Sequence, residues 1–212
     1  MTRKSIMKML VCLLLVGAIV LPQAAVANAS GGDLVMVQVG ERGPGVPGKQ
    51  EADPDFSGST AVLVAGQSDL KGNLAIHFTD VTVAKLLISK KPLKLDMVPA
   101  DLTLSAANIK EIASKTGRVF TLQIKYEDAA KVGGRTAITD QIEFGFKNVD
   151  GDKQAVNFTG AAKLKFNVNS SAANWYGAKE ESGQWKTVSG KKGSNFFTIN
   201  MKKPGNYAVV SN

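Results

Sequence analysis

His77 is the only histidine in the chain, and it is the first residue to weigh for chemistry. It sits in Leu74-Ala75-Ile76-His77-Phe78-Thr79, an alternating run that predicts a strand with His77 on the face opposite Ile76 and Phe78. One histidine without cysteine partners cannot build a histidine-rich zinc site. No G-x-S-x-G elbow places a serine beside it for acyl transfer. Ser68-Asp69-Leu70-Lys71 has S-x-x-K spacing. That chemistry needs a helix to bring the lysine to the serine, whereas Gly66 and Gly72 bracket a turn here. Paired carboxylates for glycoside cleavage need an aromatic-lined groove, and two Trp and three Tyr are few for one. The sequence predicts a protein that is not an enzyme.

Hard cations are the better inorganic candidates. Asn148, Asp150 and Asp152 converge on one turn, and Glu51, Asp53 and Asp55 alternate in a long loop. End loops of β-sandwiches supply Ca2+ with oxygens of this kind, so Asn148, Asp150 and Asp152 form the candidate calcium site. Neither run has the glycine and terminal glutamate of an EF-hand loop, and the simpler readings, a polar hairpin turn for the first and a solvated loop for the second, weigh more. No other cofactor is expected. Trp175, Tyr176 and Trp185 are the candidate glycan platform, since exposed rings stack against sugars. The competing reading makes them core, with Trp185 between sheets and one of Trp175 and Tyr176 pointing away.

The elements that must position these residues are mostly strands. Asp33 to Val39, Thr60 to Ala65, Leu74 to Thr79, Leu93 to Met97, Val119 to Tyr126, Ile142 to Phe146 and Leu164 to Val168 are short, β-branched or alternating runs. Between them lie the loop Gly40 to Gly58 and turns such as Asn148-Val149-Asp150-Gly151-Asp152. Val81 to Ser89 is ambiguous between strand and helix. One helix is expected after Ser105 as N-cap, with Ile109, Ile112 and Ala113 on one face and Gly117 ending it, plugging an open end of the fold. The closing stretch, Asn174 to Asn212, reads as a meander of Trp175-Tyr176, Gln184 to Val188, Phe196 to Met201 and Tyr207 to Val210, with one apolar face for the upstream chain to cover. The predicted fold is all-β: a two-sheet β-sandwich with one short helix, residues 91–212 forming the sandwich module. Residues 30–90 add a β segment with a long loop, either to the same sandwich or as a small domain of their own.

Residues 1–29 are expected to be a cleaved signal peptide. Arg3, Lys4 and Lys8 precede an apolar run from Met9 to Leu21, then Pro22 and an Ala27-Asn28-Ala29 cleavage site. A run of about thirteen residues fits the ~7–15 of a signal peptide and falls short of the ~20 of a membrane span. No transmembrane anchor is therefore expected, and the protein is placed outside the cell or on its surface. The single cysteine, Cys12, would leave with the signal, so the exported chain would have no disulfide. That chain carries 23 basic and 18 acidic residues, net +5, spread as pairs such as Lys90-Lys91, Lys191-Lys192 and Lys202-Lys203. Pairs at strand ends discourage edge pairing, and no basic stripe interleaved with aromatics suggests nucleic acid.

Leu95 to Ile124 followed by Trp175-Tyr176, Gly183-x-Trp185-x-x-Val188 and Tyr207-Ala208-Val209 resembles the β-sandwich module near the C-termini of secreted bacterial surface proteins. There a W-x-x-V strand is followed by a final strand ending Tyr-Ala-Val. The resemblance covers Lys91 to Val210 and implies extracellular scaffolding or adhesion, with no catalytic residues. The function expected is structural association at a bacterial surface or in its extracellular matrix, with a cell-wall polymer, a surface protein or another copy of the chain as partner. The alternative is a carbohydrate-binding module tethering its bearer to glycan.

Overall fold

The computed structural model describes residues 34–39, 49–51, 53–64, 73–97, 100–160 and 162–212. The expected signal peptide, the Ser68/Lys71 pair and residues 40–48 of the expected Gly40 to Gly58 loop lie outside the described residues. Two sheets carry the fold. The larger runs β14 (Gln184–Val188), β13 (Tyr176–Glu181), β17 (Gly205–Ser211), β10 (Gln141–Lys147), β7 (Phe120–Glu127), β4 (Asn73–Phe78), β1 (Leu34–Val39) and β2 (Lys49–Glu51). The short strand β11 (Lys153–Gln154) pairs with β10, and the hairpin β8 (Lys131–Val132) and β9 (Arg135–Ala137) pairs with β17. The smaller sheet runs β15 (Gly190–Lys192), β16 (Phe196–Met201), β12 (Ala162–Asn167), β6 (Ala100–Leu104), β5 (Leu93–Asp96) and β3 (Ala61–Val64).

Period-two alternation decides which faces meet. Phe120, Leu122, Ile124 and Tyr126 of β7 are buried while the residues between them are not, and Ile142, Phe144 and Phe146 of β10 follow suit. From the smaller sheet come Leu102, Leu104, Leu164, Phe166, Phe197 and Ile199, and all of these join one apolar cluster. Two half-apolar sheets bury their oily faces against each other, the arrangement of a β-sandwich. Phe78 stacks on Phe120 with centroids 4.8 Å apart, and Phe120 meets Phe146 edge-on at 5.9 Å. Ala61, Leu63, Leu74 and Ile76 belong to the same core, so β3 and β4 are built into the sandwich.

Two helices are present among the described residues, where one was expected. α2 (Ala106–Thr116) has the Ser105 hydroxyl accepting from the Asn108 N–H at 3.2 Å, and Gly117 ends it at φ 83°. The second, α1 (Asp80–Ser89), occupies the ambiguous stretch. Its β-branched residues favour strand, but the Thr79 hydroxyl accepts from the Thr82 N–H, and Thr82, Val83 and Leu86 fall on one buried face. Lys90 closes it in the left-handed conformation, φ 53°. Each helix links one sheet to the other, α1 from β4 to β5 and α2 from β6 to β7. They pack together, and α2 also touches β6 and β10, one strand of each sheet. The pair closes an end of the sandwich.

The closing stretch is not one meander. β13 and β14 form a hairpin in the larger sheet, turning at Ser182 (φ 54°) and Gly183 (φ 76°), the two positive φ values of a tight two-residue turn. Only Ser189 separates β14 from β15, so the edge strand bends from the larger sheet into the smaller. At that bend a Cβ on Gly190 would lie 2.2 Å from the Phe197 ring. β16 follows in the smaller sheet, and β17 returns to the larger between β13 and β10. There is thus no single apolar face. Phe197, Ile199 and Met201 fill the core from one side, Tyr207 and Val209 from the other. The Tyr207 hydroxyl donates to the Lys203 carbonyl at 2.7 Å, pinning the crossing as a tyrosine corner does in sandwiches.

Candidate functional site

The outer face of the larger sheet is where its polar alternates stand. Strand register sorts them into rows. One row runs His77, Thr121, Lys147; the next holds Ala75, Gln123, Gly145; a third runs Lys125, Glu143, Asn206, Glu180, Trp185 across five strands. The middle row is low, because Ala75 and Gly145 carry little or no side chain. Its neighbours are tall. The rows flanking it lie roughly 14 Å apart, four residues at ~3.4 Å each. The result is a cleft of about 360 Å3 across β7 and β10, lined by Gln123, Lys125, Glu143, Gly145, Lys147 and Lys153, with Leu74, Ile124 and Phe144 beneath.

The electrostatics of the cleft are basic. Lys153 reaches over Gly145 to Glu143 at 3.4 Å, and Lys125 pairs with Glu127. Lys147 stands directly opposite Lys153 in register. Ammonium groups and one carboxylate beside a primary amide can hold anions and hydroxyls. They offer no activated nucleophile.

His77 lies on this outer face, half-buried, with Nδ1 3.1 Å from the Thr121 hydroxyl. The three aromatics of the expected platform are divided. Trp175 is 8 % exposed in the main core, with Lys192 Nζ 4.1 Å from its ring centre. Tyr176 and Trp185 share a satellite cluster on the outer face with Val132, Ala178, Ala208 and Val210. Trp185 is therefore outside the inter-sheet core. Gly133, at φ 59°, lets the β8–β9 turn close on it: a Cβ there would be 2.7 Å from the Trp185 Cβ. Arg135 sits over the Tyr176 ring at 5.3 Å and donates to the Thr187 hydroxyl at 2.9 Å. The cavity beside them is about 100 Å3.

Asn148, Asp150 and Asp152 do come together on a turn. Asn148 Oδ1 accepts from the Asp152 N–H at 2.8 Å, and the Gly151 N–H donates to the Asn148 carbonyl at 3.1 Å. The amide oxygen offered to calcium is thus engaged in closing the hairpin, while Asp150 is exposed. In the other acidic run, the Asp55 carboxylate accepts from both the N–H and hydroxyl of Ser57, which holds its pKa down. Among the described residues no three His, Cys, Asp or Glu side chains gather as metal ligands.

At the sandwich rim, Lys179 and Lys186 lie opposite each other and both bind Glu181, at 2.9 and 3.1 Å. Hydrogen bonds from Lys179 and then Lys186 lower the Glu181 pKa to about 2. Burial, with a smaller push from Glu181, raises the Tyr207 hydroxyl pKa.

No known family model, curated protein or solved structure matches the chain. No helix among the described residues is long and apolar enough to cross a membrane. The cleft residues were not singled out in the sequence. Their signal was the polar half of two alternations, Gln123-x-Lys125 and Glu143-x-Gly145-x-Lys147, which meet only once β7 and β10 pair.

Proposed function

We propose that the chain is an exported, non-enzymatic β-sandwich protein of a bacterial surface or extracellular matrix, working by association through its sheet faces. The observation that carries this reading is the polar outer face of the larger sheet, where a basic cleft is built from the central strands β7 and β10. Rigid strands hold binding groups in fixed register, so such a face suits repeated recognition. The leader-like residues 1–29 and the resemblance of Lys91 to Val210 to surface-protein modules support the extracellular setting. The partner is a cell-wall polymer or a surface protein, including another copy of the chain.

A second reading, a carbohydrate-binding module, is favoured by Tyr176 and Trp185 sharing the outer face with Arg135. Fractionation of the producing cell tests the first reading, with light scattering of the purified protein over a hundredfold concentration range. Association predicts recovery with wall or matrix, or mass rising with concentration. Recovery in the cytosol as a monomer at every concentration would end it. Retardation by neutral glycan that is lost in Trp185→Ala would favour the second reading.

A further inference from the structure

We infer that the cleft on the larger sheet binds an acidic polysaccharide, with a carboxylate or phosphate group of the sugar seated between Lys147 and Lys153. The inference rests on the association reading and names its ligand class. Three observations converge. Lys147 and Lys153 are register partners, and like charges directly opposite on a sheet repel; Glu143, 3.4 Å from Lys153, offsets one of the two charges, and an anion beside Lys147 offsets the other. Gly145 keeps the floor low: a Cβ there would already lie 3.1 Å from Lys153 Cε. The remaining walls, Gln123, Lys125 and Glu143, present an amide, an ammonium and a carboxylate to hydroxyl groups.

The volume, about 360 Å3, is at the small end of ligand sites and suits a short run of sugar units rather than a protein surface. Lysine is a point-charge partner that accepts carboxylate and phosphate alike, so the two acids are distinguished by experiment. Among the described residues no aromatic side chain lines the cleft from the outer face, Phe144 being buried in the core, which disfavours base stacking by single-stranded nucleic acid.

The test is native affinity electrophoresis of the purified protein in gels containing polygalacturonate, a glycerol-phosphate polymer, neutral dextran or an oligonucleotide. The expected result is retardation by one or both acidic polymers and none by dextran. Lys147→Gln with Lys153→Gln should weaken it about fivefold or more, the effect of losing two exposed ion pairs. Lys163→Gln with Lys191→Gln, an equal charge change on exposed positions of the smaller sheet, should leave it within about twofold. Gly145→Val fills the floor without changing charge and should also abolish retardation; circular dichroism checks that each variant is folded. Equal weakening by both lysine pairs, retardation by dextran, preference for the oligonucleotide, or no retardation at all would overturn the assignment. If it is overturned while the protein still fractionates with wall or self-associates, the association reading stands and only the cleft's role is lost.

Discussion

Replacing Trp175 with alanine should destabilise the protein far more than the same change at Trp185. Trp175 is 8 % exposed and belongs to the main core, so truncation removes roughly 150–250 Å2 of buried surface, about 4–6 kcal/mol at ~25 cal/mol per Å2. Its indole N–H is buried without a hydrogen-bond partner, and losing that group returns part of the cost. The expected net loss is about 3–4 kcal/mol, within the ~3–5 seen for large aromatic truncations in cores. Trp185 is half-buried in a small cluster beneath Gly133, and its truncation should cost about 1–1.5 kcal/mol. Urea unfolding followed by far-ultraviolet circular dichroism measures both without relying on tryptophan emission. Trp175→Phe should recover most of the loss, because it keeps the apolar body and deletes the unpartnered N–H. A Trp175→Ala cost below about 1 kcal/mol, or one smaller than that of Trp185→Ala, would refute the placement of the two rings on opposite sides of the larger sheet.

Tyr207→Phe removes the hydroxyl that donates to the Lys203 carbonyl and should cost about 1 kcal/mol in the same assay, with an unchanged urea slope. Ser105→Ala deletes the cap of α2 and should cost about 1 kcal/mol, recovered largely by Ser105→Asp. Gly190→Ala forces a methyl group against the Phe197 ring and the Thr198 carbonyl; thermal unfolding should show a clear fall in Tm, whereas Gly134→Ala, with open space around it, reports only the strain of its positive φ. Glu181 is held at about 2 by Lys179 and Lys186, so its stabilising contribution is whole above the ordinary carboxylate range near 4.5 and disappears as pH falls toward 2. In Glu181→Gln the Tm should change less steeply between pH 4.5 and 2 than in the parent; parallel profiles would contradict this.

Much of the architecture is written in local pattern. Alternation over Val119 to Tyr126 and Ile142 to Phe146 gave β7 and β10, and Ser105 with Gly117 bounded α2, because period and capping act within a few residues. What alternation cannot show is which sheet a strand joins. Gln184 to Val188 and Phe196 to Met201 read alike, yet they fall in different sheets because the chain bends at Ser189-Gly190. Trp185 takes the outer face through the β13–β14 register, opposite Glu180, while Trp175, next to the outward Tyr176, lies inside. α1 was ambiguous since Val81, Val83 and Ile88 favour strand by propensity, while the Thr79 cap and the burial of Val83 and Leu86 against the core decide for helix. The cleft was hidden for a different reason. Its walls come from strands separated by the β8–β9 hairpin and become neighbours only through register, as with Lys125 opposite Glu143.

The central claim is that the protein acts by presenting the outer face of its larger sheet to an extracellular partner. Amide hydrogen exchange, measured with and without wall or matrix polymer from the producing organism, tests it most directly. The account predicts added protection in peptides spanning Phe120–Glu127 and Gln141–Lys147, with Ala162–Asn167 of the opposite sheet unchanged. Protection confined to the smaller sheet, or none on either at saturating polymer, would contradict it.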